Sequence, residues 1–519
     1  MSLLKDYLQS SDINLNLYGI YIINYYLKCN DYDENSIDIL TGQINNEFLL
    51  LFTSLLNKGN KKLSFMILII LINVTFTKQG EMLFGEDENV ISNIATFLGN
   101  NKNDMIFLEF GILLIKHITC KNSLVKQILY KYKIIDFFNE IYQKFLLDEN
   151  IMEDIILTIG HFINSRFSKN KGILCSINII KSQLNKKTPF ESLVRYLNIL
   201  FDLVIYNDSD VIKKMIDEEM HIKLMDLFPF DEKDFNFVHK DKKKKNINDI
   251  NIKDKESFEK EIGNFRLLIV KILGKMLNLN EDMYIQKIID SNFSQFLNKL
   301  LKLDDIKIIK NTFYCIQNIF YGTYGQICNL YDNNTVSLSL QVAKNVYEAL
   351  TSKNQFINNK LKKEFVKALR EIDYVFSLLI MNSMNERLIP VIKYDNHIVI
   401  LFLLEGFKYL EDNKQDNDLI STILRAISKL LDYFQKNEDD NNNLTTNFLV
   451  DFLEKNGFKE ILIKLQYNSG EDIMKLSEEI FDGYFDHSID DNSDKININD
   501  IIGEDENKIN DDKEEEDDD

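Results

Sequence analysis

Apolar residues fall at i, i+3, i+4 and i+7 along nearly the whole chain, and the pattern returns at a fixed interval. Long apolar runs such as NEFLLLFTSLLNKGNKKLSFMILIILINVTFT and IKIIKNTFYCIQNIFYGTYGQICNLY are each broken by a short polar stretch with Gly, Asn or Asp. Residues closing successive runs are Asn73, His117, His161 and Leu203, spaced by 44, 44 and 42 residues. Lys275 follows after 72, Asn318 after 43, Leu379 after 61 and Lys429 after 50. Glu371 competes with Leu379 for its place. A unit of this length cannot bury its apolar face alone, so the units must stack.

A period of 42–44 residues is that of armadillo or HEAT units, each of two or three helices. Three prolines and 18 glycines in 519 residues are too few turn formers for an all-β chain. The expected fold is therefore all-α: an armadillo-repeat, right-handed superhelical solenoid whose third helices line a groove, with a disordered acidic tail. Where the spacing exceeds one period, loop insertions are expected. One is Pro229–Glu261, rich in charge; the other falls in Asp332–Lys360. The predicted organisation is repeats over 1–228, a charged disordered insertion over 229–261, repeats over 262–486 and an acidic disordered tail over 487–519.

The formal net charge of −20 is uneven. Residues 486–519 hold 16 acids and 3 lysines, a balance of −13, which leaves −7 for the rest. Nonspecific nucleic-acid binding needs a basic face, so no direct nucleic-acid partner is expected. Basic polypeptides complement such a tail, which also favours solubility. The five cysteines form no C-x-x-C pair and read as buried free thiols in a reducing compartment. No metal or other cofactor is expected. The N-terminus lacks a signal-peptide pattern, and Leu63–Val74 is shorter than the roughly 20 residues of a membrane span, so a soluble intracellular protein is expected. There is no P-loop, no G-x-S-x-G and no H-E-x-x-H, and GTYGQI (Gly322–Ile327) follows no strand, so the chain does not read as an enzyme.

Toward the C-terminus, FLEKNGFKEILIKLQYNSGEDIMKLSEEIFDGYF (Phe452–Phe485) resembles the closing repeat of importin-α (karyopherin-α). The preceding STILRAISKLLDYFQK resembles that family's penultimate repeat, and an acidic tail follows in both. LSFMILIILINVTFT and FRLLIVKILGKML fall where the family has third helices. The resemblance implies an adaptor that binds extended basic segments, nuclear localisation signals, in its groove, and that works in cytoplasm and nucleus. The family does this with Trp and Asn four residues apart, one helical turn, so that both side chains share a face. Indole stacks on lysine, and Asn clamps the peptide backbone.

This chain has no Trp. The paired positions map to Ile69 and Asn73, Leu113 and His117, Leu157 and His161, Ile199 and Leu203, Lys271 and Lys275, and Tyr314 and Asn318. Tyr314 and Asn318 keep an aromatic and an amide, and are the expected centre of peptide binding. His117 and His161 could make the groove pH-sensitive. The run Lys240, Lys242, Lys243, Lys244 and Lys245 looks like a basic localisation signal, or a solvated lysine loop. The family's basic N-terminal segment, which recruits importin-β, is not found in this sequence, either because it is absent or because the sequence is truncated, so recruitment by that route is not expected. The alternative is an armadillo scaffold that has lost import function and binds another protein through the same surface. No membrane partner is expected.

Overall fold

The computed structural model describes residues 2–29, 46–76, 83–145, 148–163, 171–205, 209–230, 252–279, 281–352, 359–383, 385–411, 416–436 and 445–485. Among these, every regular element is a helix. The chain divides into two compact units, Met1–Val375 with Asn382–Arg387, and Phe376–Met381 with Leu388–Asp519.

The first unit is organised by one column of helices, the third of each repeat. They are α1 (Ile13–Cys29), α2 (Lys61–Val74), α3 (Met105–Thr119), α4 (Glu149–Ile163), α5 (Phe190–Ile205), α6 (Ile252–Leu277) and α7 (Ile306–Phe320), each packed on the next. Shorter helices lie between them in sequence, such as Ser123–Lys131 and Ile134–Lys144 between α3 and α4. The column forms because each helix is apolar on more than one side. In α7, Ile308, Phe313, Cys315, Ile316, Ile319 and Phe320 are all buried. Fully burying one such side chain stabilises by roughly 1.5–3 kcal/mol. That gain exists only when a neighbouring repeat covers it. Helix α8 (Asn359–Asn382) begins in the first unit and gives Phe376–Met381 to the second. In the second unit, α9 (Asn417–Lys436) packs on α10 (Glu471–Tyr484).

Local signals fix where the helices start. Asn60 accepts from the Leu63 amide at the start of α2, and Asp305 accepts from the Lys307 and Ile308 amides at the start of α7. Such caps satisfy amides that have no partner inside the helix. The corner between the first two helices of a repeat is made the same way repeatedly. Lys133, Glu219, Asn292, Asn334 and Gly457 each precede a helix with left-handed φ of 53°, 54°, 62°, 64° and 85°. This recurring backbone feature marks the repeats more sharply than any shared side chain.

The structure departs from the sequence reading at several points. Helix α6 begins at Ile252, so the last ten residues of the segment read as a disordered insertion are helical. Before it, Phe228 and Phe230 pack on Phe296, and the Arg266 guanidinium donates to the Pro229 and Phe230 carbonyls. Part of the surplus after Asn318 lies in longer helices, and 353–358 lie outside the described residues. Thr335–Thr351 has 17 residues, where Phe293–Leu300 in the preceding repeat has 8. Leu379 is fully buried, so it does not mark a surface position; Glu371 is half-buried and does. Of the free cysteines described, Cys315 is buried, but Cys120 is exposed and Cys328 intermediate, because Cys120 caps the end of α3 where the helix leaves the core. No helix among the described residues is long and apolar enough to cross a membrane. The lysine run 240–245 and the tail beyond 485 lie outside the described residues.

A left-handed backbone strains a side chain by about 1–2 kcal/mol, an effect glycine escapes at some cost in unfolded-chain entropy. Lys133→Gly is therefore expected to stabilise the fold by about 0.5–1 kcal/mol, and Gly457→Ala to destabilise it by about 1 kcal/mol, both read from denaturant midpoints.

Candidate functional site

Helices α2 to α7 bring the predicted pairs onto consecutive members of one column. Ile69, Asn73, Leu113, His117, Leu157, His161, Lys271, Lys275 and Tyr314 are all half-buried, as expected of residues on the rim between core and solvent. Ile199, Leu203 and Asn318 are buried instead. The two central positions on α5 therefore add to the core and leave the surface there to their neighbours.

Contacts along the column run from each helix to the one before it. Phe76, just past α2, packs edge-on against His117 with ring centroids 4.9 Å apart. The Thr119 hydroxyl lies 3.0 Å from His161 Nδ1. Two glycines allow close approaches between successive column helices. A side chain on Gly160 would meet Ile199 at 2.8 Å, and one on Gly274 would meet Tyr314 at 2.8 Å. Gly274 also anchors Asn318, whose amide Nδ2 donates to the Gly274 carbonyl at 3.0 Å. The amide expected to clamp a peptide has its donor engaged inside the fold, and its side chain is only 6% exposed. Asn73 differs: it is half-buried, and its side chain makes no hydrogen bond among the described residues.

The aromatic positions are also engaged. Lys275 Nζ sits 5.6 Å from the Tyr314 ring centroid, and Lys271 Nζ 5.7 Å from that of Phe201. A cation at this distance is attracted by the ring quadrupole. The chain's own lysines thus occupy the place that an incoming lysine would take. Burial first, then the neighbouring Lys310 and Lys307, holds the Lys271 ammonium below the usual lysine range.

Sequence inspection missed a second set of residues on the same face. Asn198 on α5 and Asn264 on α6 are exposed and make no side-chain hydrogen bond among the described residues. With Val194, Leu267, Leu268 and Lys271 they line a cavity of about 650 Å³ between α5 and α6. Lys307 and Lys310 extend this surface on α7. Their signal was the i, i+3, i+4, i+7 stripe continued toward the helix starts, beyond the paired positions. Among the described residues no group of three His, Cys, Asp or Glu is placed to hold a metal ion.

Burial lowers the proton affinity of three histidines. Burial, with Lys126 and Lys116 nearby, brings His161 down to about 4. Burial and then Lys116 also lowers His117. Away from this face, His221 is buried, with Nε2 3.0 Å from the Ser291 hydroxyl and Nδ1 lacking a partner, and burial brings it down to about 4.

No protein-family model matches the sequence, and no curated protein matches it. Solved structures do resemble the fold. One engineered protein aligns with a TM-score of 0.58 at 14% identity, over 93% of this chain and 98% of its own. A structure from a study of the phosphorylation-controlled interaction between cadherin and β-catenin aligns at 0.55 and 9% identity, over 93% and 94%. A designed armadillo repeat protein in complex with a (KR)4 peptide covers 59% of this chain and 98% of its own, with a TM-score of 0.38 at 18% identity. The fold class is an all-α, armadillo-type solenoid.

Two expectations follow. His161 and His221 titrate near 4 folded but near the ordinary 6.5 unfolded. Their stabilising contribution is complete above pH 6.5 and is lost as pH falls toward 4, because the unfolded chain takes up protons first. Linkage gives a loss of about 1–2 kcal/mol for each between pH 7 and pH 5, and His161→Gln with His221→Gln should flatten urea-midpoint profiles over that range. Second, Asn318→Ala should lower stability by about 1–2 kcal/mol, because it removes the buried tie to Gly274, whereas Asn73→Ala should stay within about 0.5 kcal/mol of the parent in the same melts.

Proposed function

We propose that this protein is a binding scaffold whose third-helix face, from α2 to α7, holds an extended polypeptide segment. One observation carries this reading. Side chains one helical turn apart recur at the same place on consecutive helices, half-buried at Ile69 and Asn73, Leu113 and His117, and Leu157 and His161. Packed helices lie 8–10 Å apart, and an extended chain advances about 3.3 Å per residue, so about three residues span each repeat. The ladder thus matches the length scale of an extended chain. No catalytic step belongs to this reading.

A more specific reading is an importin-α-like adaptor, carrying proteins with basic localisation signals between cytoplasm and nucleus. It is supported at α2, where Ile69 and Asn73 keep the four-residue spacing and the Asn73 amide is unengaged among the described residues. It is opposed at α6 and α7, where Lys271 and Lys275 would repel a lysine-rich ligand and already cover Phe201 and Tyr314.

The test is peptide display against the full chain, followed by photo-crosslinking of the selected peptides. A photoreactive residue at Leu113 or Leu157 should capture them, and one at the exposed Leu124 on an intervening helix should not. Capture from Leu124 alone would overturn the scaffold reading. A basic localisation-signal peptide that fails to bind at physiological salt would remove the adaptor reading and leave the scaffold in place.

A further inference from the structure

We infer that the stretch of this face from α5 to α7 is a site for an extended acidic peptide with an apolar anchor residue. This rests on the scaffold reading above and names the chemistry of its partner.

Four lysines carry the inference. Lys271 and Lys275 lie on α6, and Lys307 and Lys310 on α7. Among the described residues none of the four forms an ion pair, although lysines elsewhere in the first unit do so repeatedly, as in Lys61–Asp104, Lys102–Glu140 and Lys116–Asp154. Lys271 feels Lys310 and Lys307 as like charges, which lower its proton affinity, and only Glu364 acts on it as a counter-charge. Glu364 is itself paired with Lys367 at 3.1 Å. Lys271, Lys275 and Lys310 are half-buried and Lys307 is exposed; such a cluster of like charges is unfavourable for the isolated fold and becomes favourable when an anion covers it. Outside the acidic tail the chain carries a net charge of −7, so this stripe is opposite in sign to the rest of the body.

The neighbouring cavity supplies the other half of the ligand's chemistry. Val194, Leu267 and Leu268 form its apolar wall, and Lys271 stands at the junction with the lysine stripe. Asn198 and Asn264 present exposed amides at its edge, and an amide can both donate to and accept from an extended backbone. Two helix-to-helix steps of 8–10 Å are spanned by about six extended residues. An apolar side chain in the cavity with acidic side chains at alternate positions toward α7 fits that length.

A single-stranded nucleic acid also carries negative charge, but the surface suits it poorly. Stacking needs open aromatic faces, and the rings of Phe201 and Tyr314 are covered by Lys271 and Lys275. Glu191 and Glu261 also line the cavity, so a phosphate chain continued into it would meet carboxylates where the peptide places an apolar side chain.

The test is fluorescence anisotropy with the full chain and a labelled peptide of about 12 residues, long enough to span the stretch, that carries one phenylalanine followed by alternate glutamates. Binding is expected, weaker at high salt. Lys271→Glu with Lys310→Glu should weaken it by about tenfold or more, and replacing the peptide phenylalanine by serine by about fivefold. Lys271→Gln with Lys310→Gln should weaken it several-fold, and serves if the charge reversal does not fold. Lys302→Glu, at an exposed lysine outside the stripe, should leave it unchanged. The inference is overturned if the glutamate peptide does not bind, if both double variants bind it like the parent, or if a lysine peptide or a single-stranded oligonucleotide binds more tightly. Where a lysine peptide binds and crosslinks from Leu113, the scaffold reading survives and the acidic site does not. Where no displayed peptide binds either, both readings fall.

Discussion

Each third helix of the first unit is too apolar to stand beside solvent, and only the next repeat can cover it. Everything else about the molecule follows from this mutual burial. In α7 the buried set includes Phe313, Ile316 and Phe320, and the surface they cover belongs in part to α6. The apolar transfer energy is therefore shared between repeats and cannot be assigned to either alone. The same condition decides which residues remain for binding. A helix whose flanks are buried against neighbours above and below keeps one narrow stripe free, and residues on it recur at the repeat interval.

That stripe is not uniform, because the spacing between helices is set locally by glycine. At Gly160 and Gly274 the next helix comes close enough that Ile199 and Tyr314 lie within 2.8 Å of where a β-carbon would be. Ile199 is drawn into the core, and Tyr314 packs against α6 at Gly274. Asn318 follows from the same approach, since its amide reaches the Gly274 carbonyl only because nothing stands between them. At α2 and α3 the wall is made by other means, with Phe76 against His117. The two ends of one column thus offer different surfaces, an open amide at Asn73 and an engaged one at Asn318.

Much of this was legible in the sequence. The 44-, 44- and 42-residue spacings located Asn73, His117, His161 and Leu203, and the first three lie where the period places them. The period is carried by burial, and burial leaves a hydrophobic pattern that can be read directly. Lengths that do not alter the pattern were invisible. A longer Thr335–Thr351 helix and an earlier start to α6 at Ile252 both look like surplus residues in a spacing count. The left-handed corners were hidden for a related reason. Lys133 and Glu219 adopt a backbone that glycine or asparagine would have announced, because packing of the flanking helices overrides local preference. Engagement of side chains was the least legible property. Whether Asn318 is a clamp or a tie depends on the distance to α6, which no spacing encodes.

The lysines of α6 show both effects at once. Read by place in the repeat alone, a residue lines a ligand site in proportion to its equivalence with other repeats. Here Lys271 and Lys275 hold equivalent places to Tyr314 and Asn318, yet the two kinds of residue act on each other across the α6–α7 step. The aromatic ring absorbs part of the lysine charge, and the amide fixes the helix that carries the lysines. What the pair would have offered to a cationic ligand is used to hold cations of the chain's own. A face built this way repels the ligand its spacing invites and attracts the opposite one. Equivalence in a solenoid therefore identifies where a ligand can lie, while the chemistry it meets is decided by contacts between neighbouring repeats.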